Sequence, residues 1–469
     1  MSNVIARREI LGGLAALAVI PGCARSGAGP APVSPGQASE GPGATAGGSG
    51  STSGAGGSAS AGAAAASGPG ASAAAVPAGS SGPGAAPGAT LAVPAAAKPG
   101  RPPLAPLEPL DDGVFARRQD RLRKLARDAG ASLVMMTSGT TSFAYLAGGR
   151  VERSERLIAL FLPVDGEAMM VAPGFEVERM HRQTRVKNVR AWEEHESPYV
   201  IAREALGAAH ARAKVLVEPH TEYQTALAFG RAVPGAKLMD GTAVFERLRL
   251  HKDEEELARI RRAVTVTQEV FDAAFAGLRP GMRDREVSRG IAEEMRRAGY
   301  EGYALVQFGA LSSLPHGRSR GDELREGMVV LIDGGCEVDG YWSDITRTQW
   351  FAGAPSAEFT KVYGVVHDAQ SAAIAKVRPG VAAQDIDRAA REVIEKAGYG
   401  ARFTHRLGHG LGMDGHEPAY LVRGNTQALE AGFVFTVEPG IYIPDQFGVR
   451  IEDDVLCGPD GAIVLSRRV

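Results

Sequence analysis

The chemistry available to this chain lies in carboxylates and imidazoles set into apolar or glycine-rich surroundings. Asp333 ends the apolar run Val329-Val330-Leu331-Ile332 and precedes Gly334-Gly335. Asp344 sits in Ser343-Asp344-Ile345-Thr346-Arg347-Thr348. His405 and His409 stand four apart in His405-Arg406-Leu407-Gly408-His409-Gly410-Leu411-Gly412, with His416-Glu417-Pro418 just beyond. Glu438 follows the mostly apolar stretch 433–437, and Glu452 belongs to Val449-Arg450-Ile451-Glu452-Asp453-Asp454-Val455. Each has an ordinary structural reading on its own: Asp333 caps a turn, Asp344 is solvated, and a lone His or Glu is a satisfied polar group. Together, buried carboxylates and histidines are costly without counter-charge, and a metal site is the simplest counter-charge.

The elements that would position these groups can also be read. Asp339-Gly340 between alternating stretches predicts a hairpin with a two-residue turn. Counting back from it pairs Val338 with Tyr341, Gly335 with Asp344 and Asp333 with Thr346. Asp333 and Asp344 then become diagonal neighbours on one face, with Cβ atoms roughly 7–8 Å apart or less. Two carboxylates there repel unless something positive lies between them. A one-residue bulge would shift the count. Arg450 and Glu452 share a strand face.

From Lys252 onward a long amphipathic helix (Leu257, Ile260, Val264, Phe271) leads to helical stretches near 286–298, 359–377 and 383–397. Strands cluster near 329–350 and 433–456, so this part is α+β with an antiparallel sheet. Residues 112–249 alternate strand-like runs (133–136, 157–162, 168–171, 186–192, 215–217, 237–239) with helical stretches, an α/β pattern. No nucleotide fingerprint occurs; Gly139-Thr140-Thr141-Ser142 is a turn with neither a Lys nor a helix entry. His181, His195, His210 and His220 are surface histidines on this reading.

Of the 469 residues, 60 are Gly and 28 Pro. Between Ala24 and Glu108 lie 19 of those Gly and 13 of those Pro, five charged residues, and no Phe, Tyr, Trp or His. Such a stretch cannot bury enough apolar surface to offset ordering, and without a Gly triplet repeat it is not collagen-like. The expected plan is a signal at 1–23, an Ala/Gly/Ser/Pro-rich linker at 24–109, an α/β domain at 110–250 and a catalytic domain at 251–469. Arg7-Arg8 before the apolar run 10–20 resembles a twin-arginine signal, and Ile20-Pro21-Gly22-Cys23 resembles a lipobox. The expectation is a bacterial enzyme exported to the cell envelope on its periplasmic side and lipidated at Cys23. A formal net charge of −2 gives no sign of a nucleic-acid partner. Three cysteines are too few for a disulfide framework, and Cys336 and Cys457 have the context of buried thiols.

Leu331-Ile332-Asp333-Gly334-Gly335, the 343–348 segment, residues 405–418, Val437-Glu438-Pro439-Gly440 and Arg450-Ile451-Glu452-Asp453 follow the order of motifs in the creatinase/methionine-aminopeptidase, or pita-bread, metallopeptidases. From about Asp112 to Val469 the chain resembles the Xaa-Pro peptidases of that family, prolidase and aminopeptidase P. The resemblance implies a creatinase-type α/β N-terminal domain and an α+β pita-bread catalytic domain. It implies hydrolysis of the Xaa-Pro bond at the N-terminus of dipeptides or short peptides by two divalent ions, Mn²⁺ first, with Co²⁺ or Zn²⁺ as alternatives. Carried over residue by residue, Asp333 binds one metal, Asp344 and Glu452 bridge, and His409 and Glu438 complete the set. Glu438 would also handle the proton of the attacking water. His316 (in Leu314-Pro315-His316-Gly317) and His416 match histidines that bind substrate and stabilise the tetrahedral intermediate. His405 and Arg450 match supporting residues, and Asp453 and Asp454 are read as supporting or exposed rather than as ligands. One departure stands out: some archaeal-type prolidases carry Arg four residues after the equivalent of His416, where it helps hold the substrate's C-terminal carboxylate. Tyr420 occupies that place here, which weakens a strict dipeptidase reading. Other readings on this scaffold are a metal-dependent hydrolase of a non-peptide substrate, a metal-independent hydrolase like creatinase, and a non-catalytic binding module. The implied partners are short proline-containing peptides, with membrane contact through the N-terminal lipid alone. Because family members are often dimers, the resemblance also implies a homodimer.

Overall fold

The structure, a computed structural model, describes residues 104–469. The twin-arginine-like segment, Cys23 and the linker up to residue 103 lie outside the described residues. The end of the stretch read as linker is seated on the fold. Leu104 and Leu107 pack half-buried against the main core, and Arg259 Nη2 donates to the Glu108 carbonyl at 2.7 Å.

Residues 112–250 build a six-stranded mixed sheet in the order Asn188–Trp192, Met169–Pro173, Ala159–Pro163, Leu133–Thr137, Lys214–Val217, Lys237–Asp240. Leu133–Thr137 pairs antiparallel on one side and parallel on the other. It is buried throughout, which is why it is a continuous apolar run rather than an alternating one. One element departs from expectation. The 139–142 turn does open a helix, Thr141–Ala147, with Thr140 Oγ1 accepting from Phe143 N at 3.1 Å. Residues 142–147 are all buried, so the segment has no polar face and no helical period to detect. His181, His195 and His220 are exposed as expected; His210 is half-buried, with Nδ1 on the Leu206 carbonyl.

The second part places the helices Glu254–Gly277, Asp284–Arg297, Ala357–Lys376 and Ala383–Lys396 around antiparallel strands. The long first helix starts in a capping box: Asp253 accepts from Glu256 N at 2.8 Å, and Glu256 accepts from Asp253 N at 3.0 Å. The strands form three sheets rather than one. The first orders Ile345–Phe351, Met328–Val338 and Glu301–Phe308, with Tyr341–Trp342 added to the middle strand. The second orders Glu417–Leu421, Gly408–Gly410, Val434–Val437, Asp453–Cys457 and Ala462–Val464, and the third pairs Gly440–Ile443 with Phe447–Arg450.

The hairpin register is the counted one. Val338 faces Tyr341 and Asp333 faces Thr346, and no bulge shifts the count. Asp339 (φ 49°) and Gly340 (φ 94°) both adopt the left-handed backbone that this turn needs. Between the two paired stretches, Gly335 lies so close to the Ser343 carbonyl that a Cβ would collide with it. Cys336 and Cys457 are buried free thiols. Among the described residues, no helix is long and apolar enough to cross a membrane.

Candidate metal centre

All three sheets send residues to one place. Asp333 stands within Met328–Val338, flanked by Thr346 and Leu305 on the neighbouring strands. Asp344 occupies the break between Tyr341–Trp342 and Ile345–Phe351, where its N–H donates to Asp454 Oδ2 at 3.1 Å. His409 is the middle of Gly408–Gly410; a side chain at Gly408 would strike the Thr436 carbonyl, so glycine is what lets the strands close around the imidazole. Glu438 follows Val434–Val437. Glu452 joins Phe447–Arg450 to Asp453–Cys457 and donates its N–H to the Thr346 carbonyl at 3.1 Å.

The ligand atoms of Asp333, Asp344 and Glu452 lie within 4.8 Å of one another, and so do those of His409, Glu438 and Glu452. The two triads share Glu452. A third group, Asp344, His409 and His416, meets the same limit, and the His409 and His416 rings are 3.9 Å apart between centroids.

Hydrogen bonds only partly balance this cluster. Arg450 Nη2 donates to Asp333 Oδ2 at 2.7 Å. Thr346 Oγ1 lies 2.9 Å from Asp333 Oδ1 and 2.6 Å from Glu452 Oε2, yet a hydroxyl has one proton to give. Among the described residues, no hydrogen-bond donor reaches the Asp344 carboxylate. Burial, then the charges of Glu452 and Asp333, push the Asp344 carboxyl well above its usual range. Burial and Glu452 do the same to Glu438, and burial and Asp333 raise Glu452 to about 7. Cations bound at this point would relieve all three.

The histidines are set as neutral donors of a lone pair or of a proton. His409 Nδ1 lies 3.1 Å from the Gly410 carbonyl, which can only accept, so Nδ1 carries the hydrogen and Nε2 presents its lone pair. That Nε2 is 3.5 Å from Glu438 and 3.7 Å from Asp344. Burial, then His416, lowers the His409 pKa to about 3. Four carboxylates and a neutral imidazole form an oxygen-rich donor set that suits a hard or borderline divalent ion. His405 Nδ1 donates to the Arg406 carbonyl at 2.8 Å and Nε2 meets Tyr442 Oη at 2.8 Å; Arg450 Nη1 donates to the same hydroxyl at 2.9 Å. His416 is exposed, and its Nδ1 accepts from Arg406 Nη2 at 3.1 Å, leaving Nε2–H free to donate. His316 is exposed, and it is among the groups that lower the pKa of both His405 and His416, after burial and a nearby arginine. Tyr420 lies under the Arg406 guanidinium, 4.6 Å from ring centre to Cζ.

Two cavities open beside the cluster, of about 730 Å³ and 470 Å³. Asp344, Tyr303 and Trp342 line the first, and His416 and Tyr420 line the second. Thr140, Thr141 and Asp414 wall both.

Several supporting residues escape motif reading. Gln370, from the helix Ala357–Lys376, donates Nε2 toward the Val437 and Ile451 carbonyls and Asp453 Oδ2 at 3.0–3.2 Å. Asp453 and Asp454, read as supporting or exposed, are fully buried and take the supporting role. Asp453 can be buried because Arg347 pairs with it at 2.7 Å; Asp454 holds the Asp344 backbone. The Thr346 contact had a signal, since the counted register already set it opposite Asp333. Gln370 had none, being local to nothing in the motifs.

Two carboxylate-rich triads, on antiparallel sheets backed by helices and preceded by a mixed α/β domain, define the class: a divalent-metal peptidase. Residues 258–459 match the Metallopeptidase family M24, and residues 118–251 match the Creatinase/Prolidase N-terminal domain. The chain belongs to metallopeptidase family M24 and has its pita-bread fold. It is 36% identical over 365 residues to the "Probable dipeptidase PepE" of Mycobacterium tuberculosis, covering 76% of this chain and 95% of that protein. The crystal structure of dipeptidase PepE from Mycobacterium ulcerans superposes with a TM-score of 0.72 at 33% identity, over 77% of this chain and 98% of that one. A prolidase from Thermococcus sibiricus gives 0.69 at 32% identity, over 77% and 98%.

Proposed function

We propose that the enzyme hydrolyses the Xaa-Pro bond of dipeptides or short peptides, with Asp333, Asp344, His409, Glu438 and Glu452 holding two divalent ions, Mn²⁺ first. The observation that carries this reading is the shared Glu452: two ligand triads within 4.8 Å meet in one buried carboxylate that has too few donors around it. Similarity to a solved prolidase supports the proline specificity.

When bound, such ions supply charge neutralisation and Lewis acidity toward the scissile carbonyl and water. The chain's own groups do the rest. Glu438 lies at the edge of the cluster, 3.8 Å from His405 Nδ1, where it can take the proton of the attacking water. His416 Nε2–H is free to donate to the oxygen of the tetrahedral intermediate. Arg450 holds Asp333 directly, and through Tyr442 it orients His405. Proline has a fixed φ and no amide N–H, so a site cutting before it must place the carbonyl without help from that donor.

Metal-loaded enzyme is expected to cleave Xaa-Pro and short Xaa-Pro-Xaa peptides and to spare Met-Ala-Xaa. Mn²⁺, Co²⁺ and Zn²⁺ compared in the same assay would rank the ions. Intact Xaa-Pro substrates under all three metals would overturn the assignment.

A further inference from the structure

Four histidines belong to the candidate site, and three of them have a ring held in place. His405 meets Tyr442 and the Arg406 carbonyl, His409 the Gly410 carbonyl, and His416 the Arg406 guanidinium. His316 is the exception. It is exposed, and among the described residues no hydrogen bond reaches its ring. A ring with no partner of its own is placed by its backbone alone.

That backbone is a tight turn. Gly317 N donates to the Leu314 carbonyl at 3.0 Å, and Pro315 fixes φ at the turn's second position. One side chain brackets it. Gln307, fully buried in the strand Glu301–Phe308, donates Nε2 to the Leu314 carbonyl at 2.9 Å and to the Gly317 carbonyl at 2.7 Å. Its amide thus holds the chain on both sides of His316. Between those two points the Pro315 carbonyl accepts from Arg450 Nη1 at 3.4 Å, the guanidinium that also holds Asp333. Further along the loop, the buried Asp284 carboxylate accepts from Arg320 N at 2.9 Å and Gly321 N at 2.8 Å, which fixes the loop's end and leaves its tip to Gln307. The bracket has a cost that packing alone would not incur. With both amide hydrogens given to carbonyls, Gln307 Oε1 is left buried without a partner, an unfavourable state for an acceptor. Position 317 must also lack a side chain, because a Cβ there would come within 2.8 Å of Gln307 Nε2.

We infer that Gln307 is a positioning residue for His316: its amide sets the Leu314–Gly317 turn, so that the imidazole meets the substrate already in place. The inference rests on the reading of His316 as a group that touches the substrate, but the hold on the turn can be tested apart from turnover.

The test is a double-mutant cycle on Mn²⁺-loaded enzyme with Ala-Pro as substrate: wild type, Gln307→Met, His316→Ala and the pair. Methionine keeps the length of the side chain and offers no N–H. Gln307→Met should lower kcat/KM by about 10- to 100-fold, and by about 2-fold or less once His316 is already alanine. Gly317→Ala crowds the amide without removing it; it should likewise lose activity only while His316 is present, and it carries the cycle if Gln307→Met does not fold. Amide hydrogen exchange, followed alongside, should quicken about 10-fold at Gly317 in Gln307→Met, with Arg320 and Gly321 as slow as in wild type. An equal loss of activity in both backgrounds overturns the inference, because a general packing role would not depend on His316. Wild-type activity in Gln307→Met overturns it, as does unchanged exchange at Gly317 or full activity in His316→Ala. If wild type leaves Ala-Pro intact, the Xaa-Pro reading fails, and exchange at Gly317 still decides whether Gln307 holds the turn.

Discussion

Two clusters of paired charges meet beside the cavities, one joining both domains and one within the catalytic half, and they are built on opposite principles. One is closed: Glu417 is held by Lys252 at 3.0 Å and Arg249 at 3.3 Å, while Arg249 also holds Asp414, which bonds Thr141 at 2.5 Å. The other is open: among the described residues, Asp333, Asp344, Glu438 and Glu452 have Arg450 as their one paired guanidinium. Burial alone would raise the pKa of Glu417, but Lys252 and Arg249 outweigh it and hold it below the usual range. Burial raises Glu438, Glu452 adds to it, and Arg450 does not offset the sum. Burial makes neither cluster functional. What separates scaffold from site is whether the charge account closes without a ligand.

The largest test of that contrast is Asp344→Asn. With metal present it should lower kcat/KM by about 10⁴-fold or more, roughly 5.5 kcal/mol of barrier. In chelator the same variant should melt at a higher temperature than wild type, because one of several repelling carboxylates is gone. A lower midpoint in chelator would break the comparison. Next is Glu417→Gln, expected to cost about 3–5 kcal/mol by breaking a buried pair. Urea unfolding should show the loss with and without metal; a loss confined to loaded protein would place Glu417 in the site rather than the scaffold.

Glu256 provides an intermediate case and the smallest effect. Burial, then Asp253, raises its pKa from 4.5 to about 7, against partial compensation by Arg118 and Lys252. The folded state therefore holds a proton that the unfolded chain has released between those values, and stability falls as pH rises through that window. From pH 5 to pH 8 wild type should lose on the order of 2 kcal/mol more than Glu256→Gln. Parallel urea midpoints for the two proteins would show that the mechanism is absent.

What could be read in advance follows from range. The Asp339-Gly340 turn is local, so it determined the hairpin register and put Thr346 across from Asp333. The residues proposed as ligands stood out because acids among apolar and glycine neighbours are rare. The helix Thr141–Ala147 could not be seen, since complete burial erases the alternation that marks a helix. Gln370 and the Lys252–Glu417 pair are tertiary contacts spanning 67 to 165 residues, and nothing in their own neighbourhoods announces them. The reading of Asp453 as supporting or exposed stayed open between its two alternatives for the same reason, because its partner Arg347 is 106 residues away in the chain.

The bond from Thr141 to Asp414 bears on how such an enzyme could be recombined. Asp414 belongs to the loop that carries His416, and its other oxygen is taken by Arg249, so the first domain supplies both of its side-chain partners. A graft of another creatinase-type domain onto this catalytic half would have to bring equivalents of Thr141 and Arg249. Without them Asp414 would lose both partners and Glu417 its second cation, and the loop of His416 would lose its registration. The two domains are thus one inherited unit, whose joint is written in side chains rather than in the chain connecting them.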